Sequence, residues 1–436
     1  MARKQSSIVE VNWEGKYLPD GSRRELVLPG GPDLQILETH GSGAAGMLLH
    51  GDNLQSVAAL LPKLRGKVKL VYLDPPFNLG RPHEGTIRIS GEGAGGDHEL
   101  RIRCYEDSWG KGEASFAHQL WLRVRLAHEL LAPDGTIFLH GNDHTAPLLR
   151  ALLDDVFGAD RFLNQIVWHY TGGGRSRSAF SNKHDIIFWY AKGAKHTFNG
   201  DAVRVPYKPT SGYAKGGITS RAGKKYQPHP DGTIVDDVWD IPIVNPMSHE
   251  RTGYAAQKPV ALLERIVGVA SNPGELIADL YAGSGTTAVA AHRLGRNWLA
   301  CDGSQLAVHH ARSRLLNEGA GFSLYQLAQT EGRPGKVRVR TLGQQVRLES
   351  YSPPEDSPLG KLVSLESQGT NLLEAWCILR RAGAALPPTV VAATNRNDKG
   401  HMERELRITK NITADSLAIA VYDALGNRTM TDLNGG

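Results

Sequence analysis

A strand, a glycine-rich loop, a helix and a second strand follow one another without a break between residues 276 and 301. Leu276-Ile-Ala-Asp-Leu280 is a short apolar run of strand length that enters Tyr281-Ala-Gly-Ser-Gly-Thr-Thr287. A helix is expected from about Thr286 to Leu294, Gly295 stands where a left-handed helix cap belongs, and Asn297-Trp-Leu-Ala-Cys301 reads as the next strand. Such alternation builds a mostly parallel sheet. The same pattern recurs upstream. Val68-Lys-Leu-Val-Tyr-Leu73 is strand-like, helical spacing runs from Phe116 to Leu131, and Thr136-Ile-Phe-Leu-His140 is a strand introduced by the turn Pro133-Asp-Gly135. A further helix is expected from Pro259 to about Ala270. The expected fold class is α/β, a doubly wound sheet.

With 436 residues, 40% hydrophobic and 22% charged, the chain can bury a sizeable core and has room for two to three domains. No apolar run approaches the ~20 residues that span a bilayer, and Met1-Ala2-Arg3-Lys4-Gln5 leads into polar sequence, so a soluble, cytoplasmic protein without a membrane partner is expected. Cys104, Cys301 and Cys377 form no C-x-x-C pair, which argues against a disulfide framework and against a thiolate metal site. The net charge of +5 hides an asymmetry: from Gly172 to Gly232 there are eleven Lys and Arg against three Asp. That window carries +8, so the rest of the chain is at −3. Charge alone leaves two readings open, a segment that grips a polyanion or a solvated basic face.

Gly283 and Gly285 sit at the carboxyl end of the first strand. Lacking Cβ, they let the chain turn sharply and let a ligand lie against peptide groups beside the free N–H groups of a helix start. Asp302, closing the next strand, is placed to accept from ribose hydroxyls. An adenosyl cofactor, a dinucleotide and a purely structural loop all remain compatible, since Gly283-x-Gly285-x-x-Ala288 also fits the nicotinamide pattern. More informative is Asp74-Pro-Pro-Phe77 at the end of strand 68–73. Two prolines fix φ and remove two N–H donors, leaving a stiff turn whose carbonyls point outward. A carboxylate oxygen and a peptide carbonyl can take both hydrogens of an exocyclic amine and free its lone pair to attack an electrophilic methyl. Asp74 and the Pro75 carbonyl form that pair, and Phe77 can stack on a base rotated out of its duplex. A plain turn is the alternative.

These segments together resemble the N6-adenine DNA methyltransferases of the permuted order, the beta group, in which the catalytic half precedes the cofactor half. Leu73-Asp-Pro-Pro-Phe-Asn78 is similar to their catalytic motif, Asp279–Thr287 to their S-adenosylmethionine loop, and Gln257-Lys-Pro259 with Leu262–Ile266 to the motif before it. His50-Gly-Asp-Asn53, Ile166–His169 and Asp185–Tyr190 extend the similarity over about residues 47–320. Tyr281 for the usual Phe keeps an aromatic beside the cofactor adenine. Ala255-Ala256 replaces a usual Pro-Thr, and Asp302 stands where Glu is common. The resemblance implies a circularly permuted Rossmann-like methyltransferase sheet and transfer to adenine N6 in double-stranded DNA, with N4-cytosine or RNA methylation as the alternative on the same scaffold. It implies catalytic roles for Asp74, Pro75, Pro76 and Phe77. S-adenosylmethionine would be held by Asp52, Lys258, Asp279, Tyr281, Ala282, Gly283, Ser284, Gly285, Thr286, Thr287 and Asp302, with Lys258 near the cofactor carboxylate. No metal is required. A nicotinamide oxidoreductase leaves Asp74–Phe77 unexplained, and a DNA-binding subunit with a relic pocket is the non-enzymatic reading.

The expected organisation is an arm over 1–45, a catalytic half over 46–171, a target recognition insert over 172–256, a cofactor half over 257–320 and a C-terminal region over 321–436. The last is a candidate for homodimerisation, for a DNA clamp or for docking a restriction subunit. Within the insert, Arg175, Arg177, Lys183, Lys208, Arg221, Lys224 and Lys225 are the expected DNA contacts. His140 and His144 flank a Gly at a strand end, without the helical geometry that would converge them on a metal. His309-His310 are expected on a surface helix, solvated or packed.

Overall fold

In a computed structural model of the chain, Val68–Leu73 is buried along its whole length and lies mid-sheet. It runs parallel to Leu131–Gly141 on one side and to Leu276–Asp279 on the other. Its unbroken apolar run suits a strand covered on both faces. The structure describes residues 11–26, 33–41, 45–80, 82–89, 98–105, 107, 113–172, 176–221, 223–328, 334–359, 369–381, 388–396, 402–408 and 417–433. From Leu276–Asp279 the parallel run continues through Asn297–Asp302, Gly46–His50 and Phe322–Leu327. Helices Asn53–Leu64, Glu113–Leu130 and Ala146–Phe157 pack one face around Leu120, Val124, Leu152 and Val71. Helices Val260–Ala270, Thr286–Arg293 and Gln305–Asn317 pack the other, around Leu70, Ile266, Val289 and Trp298. The chain leaves strand 68–73 across one face and strand 276–279 across the other. The connection therefore switches between these two neighbours, and a crevice opens outside their carboxyl ends. The fold is the expected doubly wound α/β sheet.

Three expectations need correction. Residues 184–191, assigned to the insert, form an interior strand of the sheet, third from one edge. His184–Ala191 pairs antiparallel with both Leu131–Gly141 and Phe162–His169. Its Ile186–Tyr190 run is buried, and the acid and base at its start mask it in the sequence. Nor is the amino-terminal segment merely an arm: Leu34–His40 pairs antiparallel with Phe322–Leu327 and meets Thr389 in the C-terminal region. Strands Leu373–Arg380, Thr389–Asn395, Leu417–Asp423 and Arg428–Asp432 then extend the same sheet, giving fourteen strands among the described residues. The joint is a buried charge cluster. Arg312 donates to Glu38 at 2.5 Å, and His40 and Tyr422 also bond that carboxylate. Burial pushes the Glu38 carboxyl up, but Arg312 and His40 outweigh it and hold it well below the usual carboxylate range. Finally, helix 305–317 is not a surface helix throughout. His309 is buried against the Tyr422 ring, and burial pushes its imidazole well below the usual range.

Candidate active site

The carboxyl ends of strands 68–73 and 276–279 face one cavity that opens to solvent. Asp74, Pro75, Pro76 and Phe77 form one wall. Asp279, Tyr281, Ala282, Gly283, Ser284, Thr286, Thr287 and Asp302 form the opposite wall, and Tyr254 to Lys258 close a third side. The two loops lie about two hundred residues apart in sequence and meet because their strands are hydrogen-bonded neighbours.

The glycine-rich wall is built around carboxylates. Asp302 accepts from the Gly283 and Ser304 amides at 2.8 Å each. Burial raises its pKa against the pull of those two bonds. Asp279 accepts from the Tyr281 amide and the Thr287 hydroxyl. Burial pushes it to about 7, and the neighbouring Asp74 and Asp302 charges push in the same direction. Gly283 has φ of 51°, and a Cβ there would approach the Tyr254 ring to 3.3 Å. Gly285 serves packing instead, since its φ is 80° and a Cβ would stand 2.7 Å from that of Ala311. It lets helix 286–293 close against helix 305–317 and does not line the cavity. Nor does Asp52, which caps helix 53–64 by accepting from the Leu54 and Gln55 amides and pairs with Arg123.

The opposite wall is stiff for the reason expected of two prolines, and it is held further by Asp107, which the sequence does not single out, and by Lys258, which it does. Asp107, fully buried, accepts from the Asn78 and Leu79 amides and fixes the left-handed turn at Asn78, φ 58°. Lys258 lies between the two walls: its carbonyl accepts from the Thr286 hydroxyl of the glycine loop, while its Nζ lies 2.5 Å from Asp74 Oδ2 and 5.5 Å from the centre of the Phe77 ring. Within the Ala255-Ala256 pair, Ala256 adopts φ of 57°, a region costing an L-residue about 1–2 kcal/mol. Gln257 braces this turn by donating to the Glu250 carbonyl and accepting from Thr252. Arg314, also absent from the sequence expectations, reaches across to the Ser284 carbonyl and the Thr286 hydroxyl and ties the loop to helix 305–317. Only tertiary structure reveals Asp107 and Arg314. Neither belongs to a recognisable sequence pattern.

Of the expected DNA contacts, Arg177, Lys208, Arg221, Lys224 and Lys225 are exposed, with Lys224 over the Tyr226 ring on a small two-stranded ribbon. Lys183 folds back onto the Gly172 carbonyl, and Arg175 lies outside the described residues. The insert is anchored by Trp239 and Ile241 in the core, with Val238–Asp240 pairing parallel to Phe162–His169.

A family model described as DNA methylase matches residues 68–313, which includes both cavity walls. The chain belongs to that family. The methylase is 27% identical over 309 residues to DNA adenine methyltransferase YhdJ of Escherichia coli (strain K12), an alignment covering 70% of this chain and 93% of that one. It is 37% identical over 245 residues to Type II methyltransferase M1.MboII of Moraxella bovis, covering 54% and 84%. Among solved structures it is similar to the M1.HpyAVI–SAM complex, at TM-score 0.40 and 16% identity over 62% of this chain and 98% of that one. It is also similar to PvuII DNA methyltransferase (cytosine-N4-specific), at TM-score 0.44 and 15% identity, covering 65% and 89%. No helix among the methylase's described residues is long and apolar enough to cross a membrane.

Proposed function

We propose that the methylase transfers a methyl group from S-adenosylmethionine to the N6 amine of an adenine flipped out of duplex DNA, at a specific sequence. The observation that carries this reading is the shared cavity, with the Asp74–Phe77 acceptor array facing the Gly283 loop. The cavity fits the cofactor chemically. Asp302 and Asp279 suit ribose hydroxyls and cationic groups, Tyr254 and Tyr281 supply aromatic faces, and Gly283 leaves room beside the peptide. When bound, S-adenosylmethionine supplies an already activated methyl on a sulfonium.

The residues of the chain then orient and polarise. Asp74 and the Pro75 carbonyl accept the two amine hydrogens, Phe77 stacks on the base, and the two walls hold donor and acceptor in line. Flipping costs a few kcal/mol, which stacking and the two hydrogen bonds offset. Exposed cations of the insert, Lys224 and Lys225 among them, grip phosphate, and side chains of the same insert read base edges. The C-terminal strands are the proposed surface for a second copy of the chain or for a restriction subunit. Duplex DNA incubated with methyl-labelled S-adenosylmethionine and digested to nucleosides tests the assignment. Label in N6-methyladenine is expected. Label in N4-methylcytosine would move the activity to the other amine, and no transfer to diverse DNA would overturn the enzymatic reading.

A further inference from the structure

Behind the Asp74–Phe77 turn runs a buried polar chain that orientation of the amine does not require. His140, with no exposed surface, stands at the end of strand 131–141. Its Nδ1 is 2.7 Å from the Tyr72 hydroxyl and 3.8 Å from Asp74 Oδ1. On the opposite side Nε2 is 3.2 Å from Asp185 Oδ2, and the Tyr170 hydroxyl donates to Asp185 Oδ1 at 3.2 Å. Trp168 and Phe77 cover the ring at 5.5 and 6.0 Å between centres. Burying an imidazole and a carboxylate in such a layer is costly unless each is bonded. Here the imidazole is bonded at both nitrogens, to Tyr72 and to Asp185, with Asp74 beside it.

The chain of partners fixes the tautomer. Burial pushes the Asp185 carboxyl up, but the His140 bond and charge outweigh it, with Lys258 adding, so Asp185 is held ionised below its usual range. An ionised carboxylate only accepts, so Nε2 carries the hydrogen and Nδ1 carries the lone pair, which accepts from the Tyr72 hydroxyl at 2.7 Å with Asp74 Oδ1 beside it at 3.8 Å. Asp74 is bridged in turn, with Oδ2 held by Lys258 and Oδ1 facing both the cavity and His140. The charged groups around the ring are Asp185 at Nε2, Asp74 at Nδ1, Lys258 behind Asp74 and Asp279 beyond Tyr72.

We propose that His140 receives, by way of Asp74, the proton that the target amine must lose, and that Asp185 is a positioning residue that fixes the His140 tautomer and stabilises its imidazolium. This rests on the amine-methylation reading above. The amine lone pair forms the new N–C bond as the S–C bond breaks with its electron pair left on sulfur. The nitrogen then holds one proton too many. That proton passes to Asp74 Oδ1; the Tyr72 hydroxyl then turns its hydrogen away from Nδ1, the resulting carboxyl closes the 3.8 Å gap and gives its proton to His140 Nδ1, restoring the Asp74 carboxylate, and the proton returns to water once the product leaves the open cavity.

Single-turnover methyl transfer measured against pH for the wild type, His140→Gln and Asp185→Asn tests the route, together with imidazole ¹⁵N shifts of His140 in the cofactor-free protein. His140→Gln should slow transfer on the order of 10²-fold and lose the acid limb of the wild-type profile. Asp185→Asn should move that limb to lower pH, because the imidazolium loses its counter-charge. Affinities for S-adenosylmethionine and DNA should stay within about twofold in both variants, and the shifts should report hydrogen on Nε2. A slowed His140→Gln with an unchanged pH profile, or hydrogen on Nδ1 in the free protein, would overturn the route. If the wild type moved no methyl at all, the proposed function would fall, while the shifts would still decide whether His140 carries its lone pair on Nδ1.

Discussion

Asp279 makes an energetic prediction that can be worked from its surroundings. Its side chain is 3% exposed, and burial, with Asp74 and Asp302 nearby, raises its pKa from 3.8 to about 7. At about 1.4 kcal/mol per tenfold, keeping this carboxyl ionised in the folded chain costs roughly 4 kcal/mol well above pH 7. The folded state holds the proton more tightly than the unfolded state, so stability is highest below the unfolded pKa and is lost as pH rises through about 7. Linkage gives a loss of about 2.5 kcal/mol between pH 5 and pH 8 from this one group. Glu374, also pushed to about 7 by burial, changes in the same direction, while His128 and His310, pushed down to about 4, change oppositely at lower pH. The isolating comparison is therefore Asp279→Asn against the wild type, both unfolded by urea at pH 5 and at pH 8 without ligand. The variant should lose about 2.5 kcal/mol less than the wild type over that interval. Equal losses in the two proteins would refute the argument that a buried, repelled carboxylate lines this wall.

Two further perturbations probe the rest of the molecule. Arg312→Met strands the buried Glu38 charge where the amino- and carboxyl-terminal strands join and should destabilise the fold by about 3–5 kcal/mol in urea titrations, with Glu38→Gln added in the same chain recovering much of it. Lys224→Glu with Lys225→Glu should weaken DNA binding and shallow its salt dependence by about two in log–log slope, leaving S-adenosylmethionine affinity unchanged by calorimetry.

What the sequence could and could not disclose follows from how far apart the partners of each feature lie. Strands 68–73 and 276–279 are readable because unbroken apolar runs end in Asp-Pro-Pro and in a glycine loop, which are local signals. The shared cavity follows once the permuted order is matched to a switch point in a parallel sheet. Leu34–His40 escapes notice because Glu38 and His40 make it look polar, and the burial of that carboxylate is stabilised by Arg312, 274 residues beyond Glu38. Strand 184–191 is hidden at the edge of a basic loop, although its Ile186–Tyr190 core is apolar. Lys258, expected beside the cofactor, lines the shared cavity, and its pairing there with Asp74 has no sequence signal. Asp107, Arg314 and the His140–Asp185 pair each depend on contacts between separate elements, which no spacing rule encodes.

The central claim is that Asp74 acts on the amine while the facing loop holds the methyl donor. Asp74→Ala, measured for methyl transfer to duplex DNA and for S-adenosylmethionine affinity on the same preparation, tests it directly. Transfer should fall by about 10³-fold or more with affinity changed by less than about threefold, because the missing carboxylate is the group that bonds the acceptor amine and is not one that holds the cofactor. A variant that still methylates at near wild-type rate would contradict the account.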